Sequence, residues 1–252
     1  MDEIMGLVKQ ENRNNIGVLR FDNGVTNAVS PDLAVELTDL LRKVAGECRG
    51  MVLAGGEKFF CIGFDLPKLL EMDRDSLGDL FHRYDRILLD LYTLPIPTAC
   101  AVKGHCIGAG TTFLLACDYR YAASGRTLFG LNEITLGLPV PYLADMTLRQ
   151  ITGDRIATDV LYNGELFDSV EAERFGILNE IHPKEDVERI ALERMEGLCR
   201  LPPMAFAAIK ANRVEAIRVR HRKHHAAKIE SLLDCWFDGR TRELLQEAVK
   251  KF

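Results

Sequence analysis

No apolar run in this chain approaches the roughly 20 residues needed to cross a bilayer, so membrane insertion is not expected. Positive charge is not in excess either. The formal net charge is −5, which argues against general attraction to nucleic acid, and an anionic ligand would need a local cluster of cations. No secretory leader is expected at the start, where Met1-Asp2-Glu3-Ile4-Met5 is acidic and lacks the basic and apolar regions of a signal peptide. The final Lys250-Lys251-Phe252 is not the peroxisomal tripeptide. A cytoplasmic location is the expectation. The cysteines are not paired. Cys48, Cys61, Cys100, Cys106, Cys117, Cys199 and Cys235 are odd in number and scattered, and no two have the spacing of a zinc site. They read as reduced thiols, mostly core filler, with no metal site expected. Low-complexity segments and strictly periodic repeats are absent as well.

What remains is an ordinary globular composition. The 252 residues are 47% hydrophobic and 27% charged, enough for one large domain or a core with a small appendage. Ile16–Phe21 reads as a first strand, and Asp22-Asn23-Gly24 as a turn. Ser30-Pro31-Asp32 then opens a helix with a capping hydroxyl, a proline at its first position and an acid at its positive end. Leu33, Leu37, Leu40, Leu41 and Val44 follow at helical spacing. Further strands are expected at 51–54, 96–102, 119–122 and 177–181, with helices through 80–91 and 109–117 between them. From Asp186 the pattern is helical almost to the end, broken at Leu201-Pro202-Pro203. Alternating strands and helices define an α/β chain, and the helical tail forms a separate layer or an oligomerisation element.

Three segments can carry chemistry. In Gly55-Gly56-Glu57-Lys58-Phe59-Phe60-Cys61-Ile62-Gly63-Phe64-Asp65-Leu66 a strand ends, and a glycine lets the backbone approach something closely. In Val102-Lys103-Gly104-His105-Cys106-Ile107-Gly108-Ala109-Gly110-Thr111-Thr112 an apolar strand enters a glycine turn and then a helix, whose exposed N–H groups suit an anion or a developing oxyanion. The glycine spacing is not that of a dinucleotide site. Phe129-Gly130-Leu131-Asn132-Glu133-Ile134-Thr135-Leu136-Gly137 places one carboxylate among apolar residues, where burial raises its pKa and makes it a better proton carrier. Taken singly, each segment is also explained as a tight connection or a solvated acid.

In order and spacing the three together resemble the enoyl-CoA hydratase/isomerase (crotonase) superfamily, with its G-G-x-x-F-x-x-G-x-D segment, its G-x-x-x-G-G-G turn and its F-x-x-x-E-x-x-x-G segment. The resemblance runs from about Ile16 to Pro183. It implies a crotonase-type spiral of repeated ββα units over residues 1–196 and a helical oligomerisation region over 197–252, with Leu232, Leu233, Trp236 and Phe237 buried against the body or a partner. A homotrimer or dimer of trimers is implied, with an acyl-CoA thioester as the small-molecule substrate. No separate cofactor is implied, since CoA is part of that substrate.

The same resemblance implies an oxyanion hole made by the N–H groups of Phe64 and Ala109, alanine here standing where glycine is common. CoA is expected along Cys61, Ile62, Gly63 and Asp65, with Lys58 as a candidate phosphate contact and Gly108, Thr112 and Asn132 lining the site. The cationic run from Arg218 to His225 reads as a solvated face or a second phosphate contact, and His105 as structural. Hydratases of the superfamily carry two glutamates. Glu133 matches one, and Thr112 occupies the place of the other. A single carboxylate suffices to move a double bond, taking a proton from C2 and returning it to C4. Gly130-Leu131-Asn132-Glu133, Leu136–Tyr142 and Val25–Ser30 also resemble monofunctional Δ3,Δ2-enoyl-CoA isomerases. Isomerase chemistry is therefore the leading expectation. Hydration or another enolate-forming lyase or hydrolase reaction, and a non-catalytic CoA-binding homologue, are the alternatives.

Overall fold

The computed structural model describes residues 6–250. The acidic start Met1–Met5 and the terminal Lys251 and Phe252 lie outside the described residues. The strand at Ile16–Phe21 is second in the chain and is labelled β2. It is preceded by β1 (Val8–Arg13), which pairs with it antiparallel, Val8 opposite Phe21 and Arg13 opposite Ile16. β1 is an edge strand of mostly polar, exposed residues, so it carries little hydrophobic signal.

Helix α1 (Pro31–Glu47) begins as its sequence dictates: the Ser30 hydroxyl accepts the Leu33 N–H at 3.2 Å, Pro31 takes the first turn, and Leu33, Leu37, Leu41 and Val44 are buried. Next come β3 (Gly50–Ala54), β4 (Phe59–Cys61), the short α2 (Leu66–Leu70) and α3 (Arg74–Tyr92). Then follow β5 (Thr98–Val102), β6 (His105–Ile107), α4 (Ala109–Ala116), β7 (Tyr119–Ala123) and β8 (Leu128–Gly130).

Two sheets result. The longer has the order β1-β2-β3-β5-β7-β10, β10 being Glu180–His182. The shorter has the order β4-β6-β8-β9, β9 being Phe167–Asp168. Each repeat gives one strand to the long sheet and the next to the short one: β3 then β4, β5 then β6, β7 then β8. Helices close the β3–β4 and β5–β6 pairs. This is the crotonase-type spiral of ββα units, and the helical C-terminal region follows it. The repeat escapes detection in the sequence because the short-sheet strands are only two or three residues long and their connections differ.

Four helices lie outside the sequence reading, the short α2 being the first of them. After a 3₁₀ turn at Glu133–Leu136 come α5 (Tyr142–Thr152), α6 (Asp154–Asn163) and, beyond β9, α7 (Ser169–Arg174). The strand expected at 177–181 begins only at Glu180. Ile177 and Leu178 are buried, but their N–H groups return to the Ala172 carbonyl. They are the apolar residues that seal the end of α7, and sheet pairing starts one turn later, with Glu180 opposite Tyr121.

Helix α8 (Val187–Cys199) covers the outer face of the long sheet, where Val187, Ala191 and Met195 meet Ile16, Val18, Val52, Ala99 and Tyr121. Helix α9 (Pro203–Trp236), of 34 residues, runs along α3 and α5 and is about 51 Å long at 1.5 Å per residue. Its end is anchored in the main core: Ile229, Leu233 and Trp236 are buried there, the indole fully so, 5.7 Å from the Phe81 ring in an edge-on arrangement. Helix α10 (Gly239–Val249), capped by Asp238, folds back onto α2 and the 3₁₀ turn. No helix among the described residues is long and apolar enough to cross a membrane.

Truncating the fully buried indole, Trp236→Ala, is expected to lower the unfolding free energy by about 3–5 kcal/mol, measurable as a shift of the urea midpoint at unchanged slope.

Candidate active site

The three chemistry-bearing segments meet where the short sheet ends. β4 and β6 lie side by side in parallel, so the chain leaving each turns into the same space. At Gly63 and Gly108 the backbone adopts φ of +116° and +54°, which side chains other than glycine rarely tolerate. The two turns nearly touch: a side-chain carbon added to Gly108 would lie 3.5 Å from Gly63 Cα, 3.9 Å from the Ile62 carbonyl and 3.8 Å from Glu133 Oε1. One added to Gly63 would lie 3.9 Å from the Ala109 nitrogen. Gly110, at the start of α4, packs so tightly on the Cys61 carbonyl that a methyl group there would overlap it.

The N–H groups of Phe64 and Ala109 are left unspent by this packing. Residue 64 bridges Val29 in parallel, and the bonds of that bridge use the flanking groups: Val29 N–H donates to the Gly63 carbonyl at 2.8 Å, and Asp65 N–H to the Val29 carbonyl at 2.9 Å. Among the described residues, the Phe64 N–H donates to no backbone carbonyl. Ala109 is the first residue of α4, so its N–H has no intrahelical acceptor and sits at the positive end of the helix. All eight residues of α4 are buried. The Thr111 hydroxyl pins its start, donating to the Cys106 and Gly130 carbonyls at 2.6 and 3.0 Å.

Glu133 opens the 3₁₀ turn that follows β8. Leu138 N–H donates to its carbonyl at 3.0 Å. From the other side α10 supports the turn, the Thr241 hydroxyl donating to the Gly137 carbonyl at 3.3 Å. The Glu133 carboxylate is buried, and its Oε2 has no protein hydrogen-bond partner. Burial pushes its pKa up to about 7, with only its own backbone N–H acting in the opposite direction. The arrangement holds two backbone donors beside one proton-carrying group in a desolvated cleft, and so can polarise a carbonyl while a proton moves next to it.

Behind the donors an aromatic file runs through the core. Phe21 packs on Phe60 and Phe113, Phe113 on Tyr84, Tyr84 on Phe64 at 4.8 Å, and Phe64 on Phe81. Sequence reasoning placed Tyr84 only within the helix expected at 80–91. Its hydroxyl in fact reaches the site, lying against the Thr112 hydroxyl and 3.2 Å from the Ala109 carbonyl. Thr112 in turn donates to that carbonyl at 2.8 Å. Burial raises the phenol's pKa well above its ordinary value, so it stays a donor.

The other expected residues fall in different places. Cys61 is fully buried, its thiol 3.7 Å from the Gly63 carbonyl and pushed up to about 12 by desolvation. It is packing beside the turn rather than a nucleophile. The Asp65 carboxylate pairs with Lys68 at 3.1 Å. Asn132 makes the turn with its backbone, its carbonyl accepting from Thr135 N–H and hydroxyl at 3.0 and 2.7 Å. Lys58 lies on an open surface beside Lys103, Arg126 and Lys184, its ammonium 5.2 Å from the Phe59 ring centre. His105 accepts the Leu128 N–H on Nδ1 at 3.1 Å and so ties β6 to β8. Within the run 218–225, His221 is 1% exposed and bonds Asp85 at 2.8 Å, so part of that run is core. Among the described residues no three His, Cys, Asp or Glu side chains gather as a metal site.

A cavity of about 350 Å³ leads from Phe64 between α3, α5 and α9. Phe81, Tyr84, Ile134, Leu138, Ile229 and Leu232 contribute to its walls. The spiral of ββα units, its paired glycine turns and the carboxylate beside them define a crotonase-type protein. The chain belongs to the enoyl-CoA hydratase/isomerase family, whose model matches residues 11–244. It is similar to human mitochondrial enoyl-CoA delta isomerase 1, 29% identical over 209 residues, covering 81% of this chain and 69% of that protein. A probable enoyl-CoA hydratase of Mycobacterium avium is 28% identical over 222 residues, 86% of this chain and 85% of that one. The crystal structure of human mitochondrial delta3-delta2-enoyl-CoA isomerase superposes with a TM-score of 0.93 at 26% identity, covering 97% of each chain.

A buried acid with a raised pKa costs stability once it ionises. Between about 4.5 and 7 the unfolded chain releases the Glu133 proton while the folded one keeps it, so folding weakens as pH rises through this window. Glu133→Gln is therefore expected to be more stable than the parent by up to about 3 kcal/mol at pH 8, the difference shrinking to little at pH 4.5. Urea unfolding of both proteins across this range checks it.

Proposed function

We propose that this protein is an enoyl-CoA isomerase that moves the double bond of a 3-enoyl-CoA to the 2-position. The observation that carries the reading is the solitary buried Glu133 carboxylate. A side-chain carbon added to Gly108, at the turn bearing the Ala109 N–H, would lie 3.8 Å from its Oε1, and no charged neighbour contributes to its pKa shift. The thioester carbonyl would accept from Phe64 and Ala109, which form the oxyanion hole. Two such donors favour the dienolate over the ground state, and removal of one comparable donor costs about 3–4 kcal/mol. Glu133 would take the C2 proton as carboxylate and return it to C4 as acid. A pKa near 7 suits a group that must act both ways.

Hydration needs a second group to activate water. The place expected for it is Thr112, and its hydroxyl is already committed to the Ala109 carbonyl and Tyr84. The similarity to the human isomerase supports the same reading; the mycobacterial relative leaves the hydratase as the rival. CoA would lie along 61–65 with Lys58 near its phosphates, and no separate cofactor would be required. The region 197–252 would also carry a homotrimer or dimer of trimers, using the exposed Leu201, Met204, Ile209 and Val219 of this segment. A monomeric mass in sedimentation equilibrium would contradict that assembly.

With a 3-enoyl-CoA, conjugation without hydration of the matching 2-enoyl-CoA is expected. kcat/KM should rise with pH as Glu133 ionises and level off above about 7. Glu133→Gln should lose about 10²–10⁴-fold. Hydration as the main activity, or wild-type conjugation by Glu133→Gln, would overturn the assignment.

A further inference from the structure

The short sheet has a second end. The glycine turns lie where β4 and β6 finish. Where the parallel strands β4, β6 and β8 start, an open depression of about 380 Å³ is lined by Lys58, Lys103, Arg126, Lys184 and Glu57. Four cations and one carboxylate leave an excess of three positive charges here, in a chain whose formal net charge is −5. Of these cations the proposed reaction uses Lys58 alone.

Backbone contacts gather these cations from four segments. The Lys58 carbonyl accepts the His105 N–H at 2.9 Å, and Gly104 packs so closely on Lys58 that a side chain there would overlap its backbone. Lys184 Nζ donates to the Glu57 carbonyl at 2.6 Å. Gly125, at φ of +103°, turns the chain between β7 and β8 just before Arg126. The charges are not neutralised in the process. Glu57 is shared between Lys103 at 3.1 Å and Lys184 at 3.4 Å. Glu188, 4.0 Å from Lys103, is already held by Arg20 at 2.8 Å and Arg13 at 3.3 Å. Lys58 and Arg126 pair with no carboxylate among the described residues, the Lys58 ammonium resting 5.2 Å from the Phe59 ring centre. Two neutral donors also line the depression. His105 accepts the Leu128 N–H on Nδ1, so its proton sits on Nε2. Thr127 is only 7% exposed, and its hydroxyl has no protein partner among the described residues.

We propose that this depression is a phosphate-binding site, with Lys58 and Arg126 as its free cations and Lys103 and Lys184 adding to the field. A carboxylate would offset one of the three excess charges. A phosphate group brings close to two negative charges and three acceptor oxygens, which suits several cations and neutral donors at once. The phosphate has two possible sources. If it belongs to bound CoA, the site rests on the acyl-CoA reading and adds three cations to Lys58. If it belongs to a separate phosphorylated ligand, the site stands without that reading.

The test uses binding, so that it does not depend on turnover. Inorganic pyrophosphate is titrated calorimetrically, at low salt, into the full-length protein with and without saturating CoA. It is also titrated into Lys58→Ala, Arg126→Ala and, as a control of equal charge, Arg222→Ala on α9. All three residues are exposed, so the variants should fold. The parent should bind saturably. Lys58→Ala and Arg126→Ala should each raise the dissociation constant about tenfold, and Arg222→Ala should leave it nearly unchanged. Competition by CoA would assign the site to the substrate's own phosphates, and binding indifferent to CoA to a separate ligand. Absence of saturable binding, a constant that either Lys58→Ala or Arg126→Ala leaves unmoved, or equal weakening by Arg222→Ala overturns the site. Failure of the parent to bind CoA would strike the acyl-CoA reading alone, leaving the pyrophosphate titration to decide the site.

Discussion

The rest of the site depends on one close approach: the backbone that leaves β4 packed directly against the turn that enters α4. Gly63 and Gly108 almost touch, and Gly110 rests on the Cys61 carbonyl. A side chain at Gly110 would overlap that carbonyl, and at Gly63 and Gly108 the positive φ disfavours any residue but glycine. Because they meet, residue 64 and the start of α4 lie side by side. The parallel bridge to Val29 uses the peptide groups on either side of residue 64 and leaves its N–H unspent. The donors are thus fixed by the backbone, and in the proposed reaction would need no rearrangement as charge develops on a bound carbonyl.

Placing a carboxylate across this cleft works against stability, and the fold compensates with packing. Glu133 sits in a single 3₁₀ turn, too short to hold its own geometry. It is braced by Leu138 beneath and by α10 through Thr241. The C-terminal helices therefore do more than extend the chain. Trp236 anchors α9 against the aromatic file that runs behind Phe64, and α10 reaches back to the turn that carries Glu133. A desolvated acid near neutrality is the outcome: unfavourable for folding once ionised, and suited to taking and returning one proton.

Much of this was legible in the chain. The α1 cap at Ser30, the parallel strands, the glycine turns and the isolation of Glu133 all follow from residue types at fixed spacing. The family resemblance rested on those same glycines and that glutamate. The short-sheet strands were not legible, because two or three residues carry no periodicity, and β1 was hidden by its polar edge position. Ile177 and Leu178 looked like a strand because burial alone does not separate a helix seal from a sheet. In the site, Tyr84 was indistinguishable from its neighbours on the apolar face of α3. Only the crossing of α3 over α4 shows that its hydroxyl meets Thr112. His221 and His225 had helical spacing to suggest a shared face, but nothing in the sequence pointed to Asp85 opposite them.

The central claim is that one buried carboxylate both removes and returns the proton. Its most direct test is the fate of the label from a 3-enoyl-CoA deuterated at C2, followed by mass spectrometry and NMR of the 2-enoyl product formed in ordinary water. A shuttle shielded from solvent predicts that a measurable share of the deuterium lost from C2 reappears at C4, and that Glu133→Gln abolishes the transfer. Complete loss of label to solvent with full activity, or transfer that survives Glu133→Gln, would contradict it.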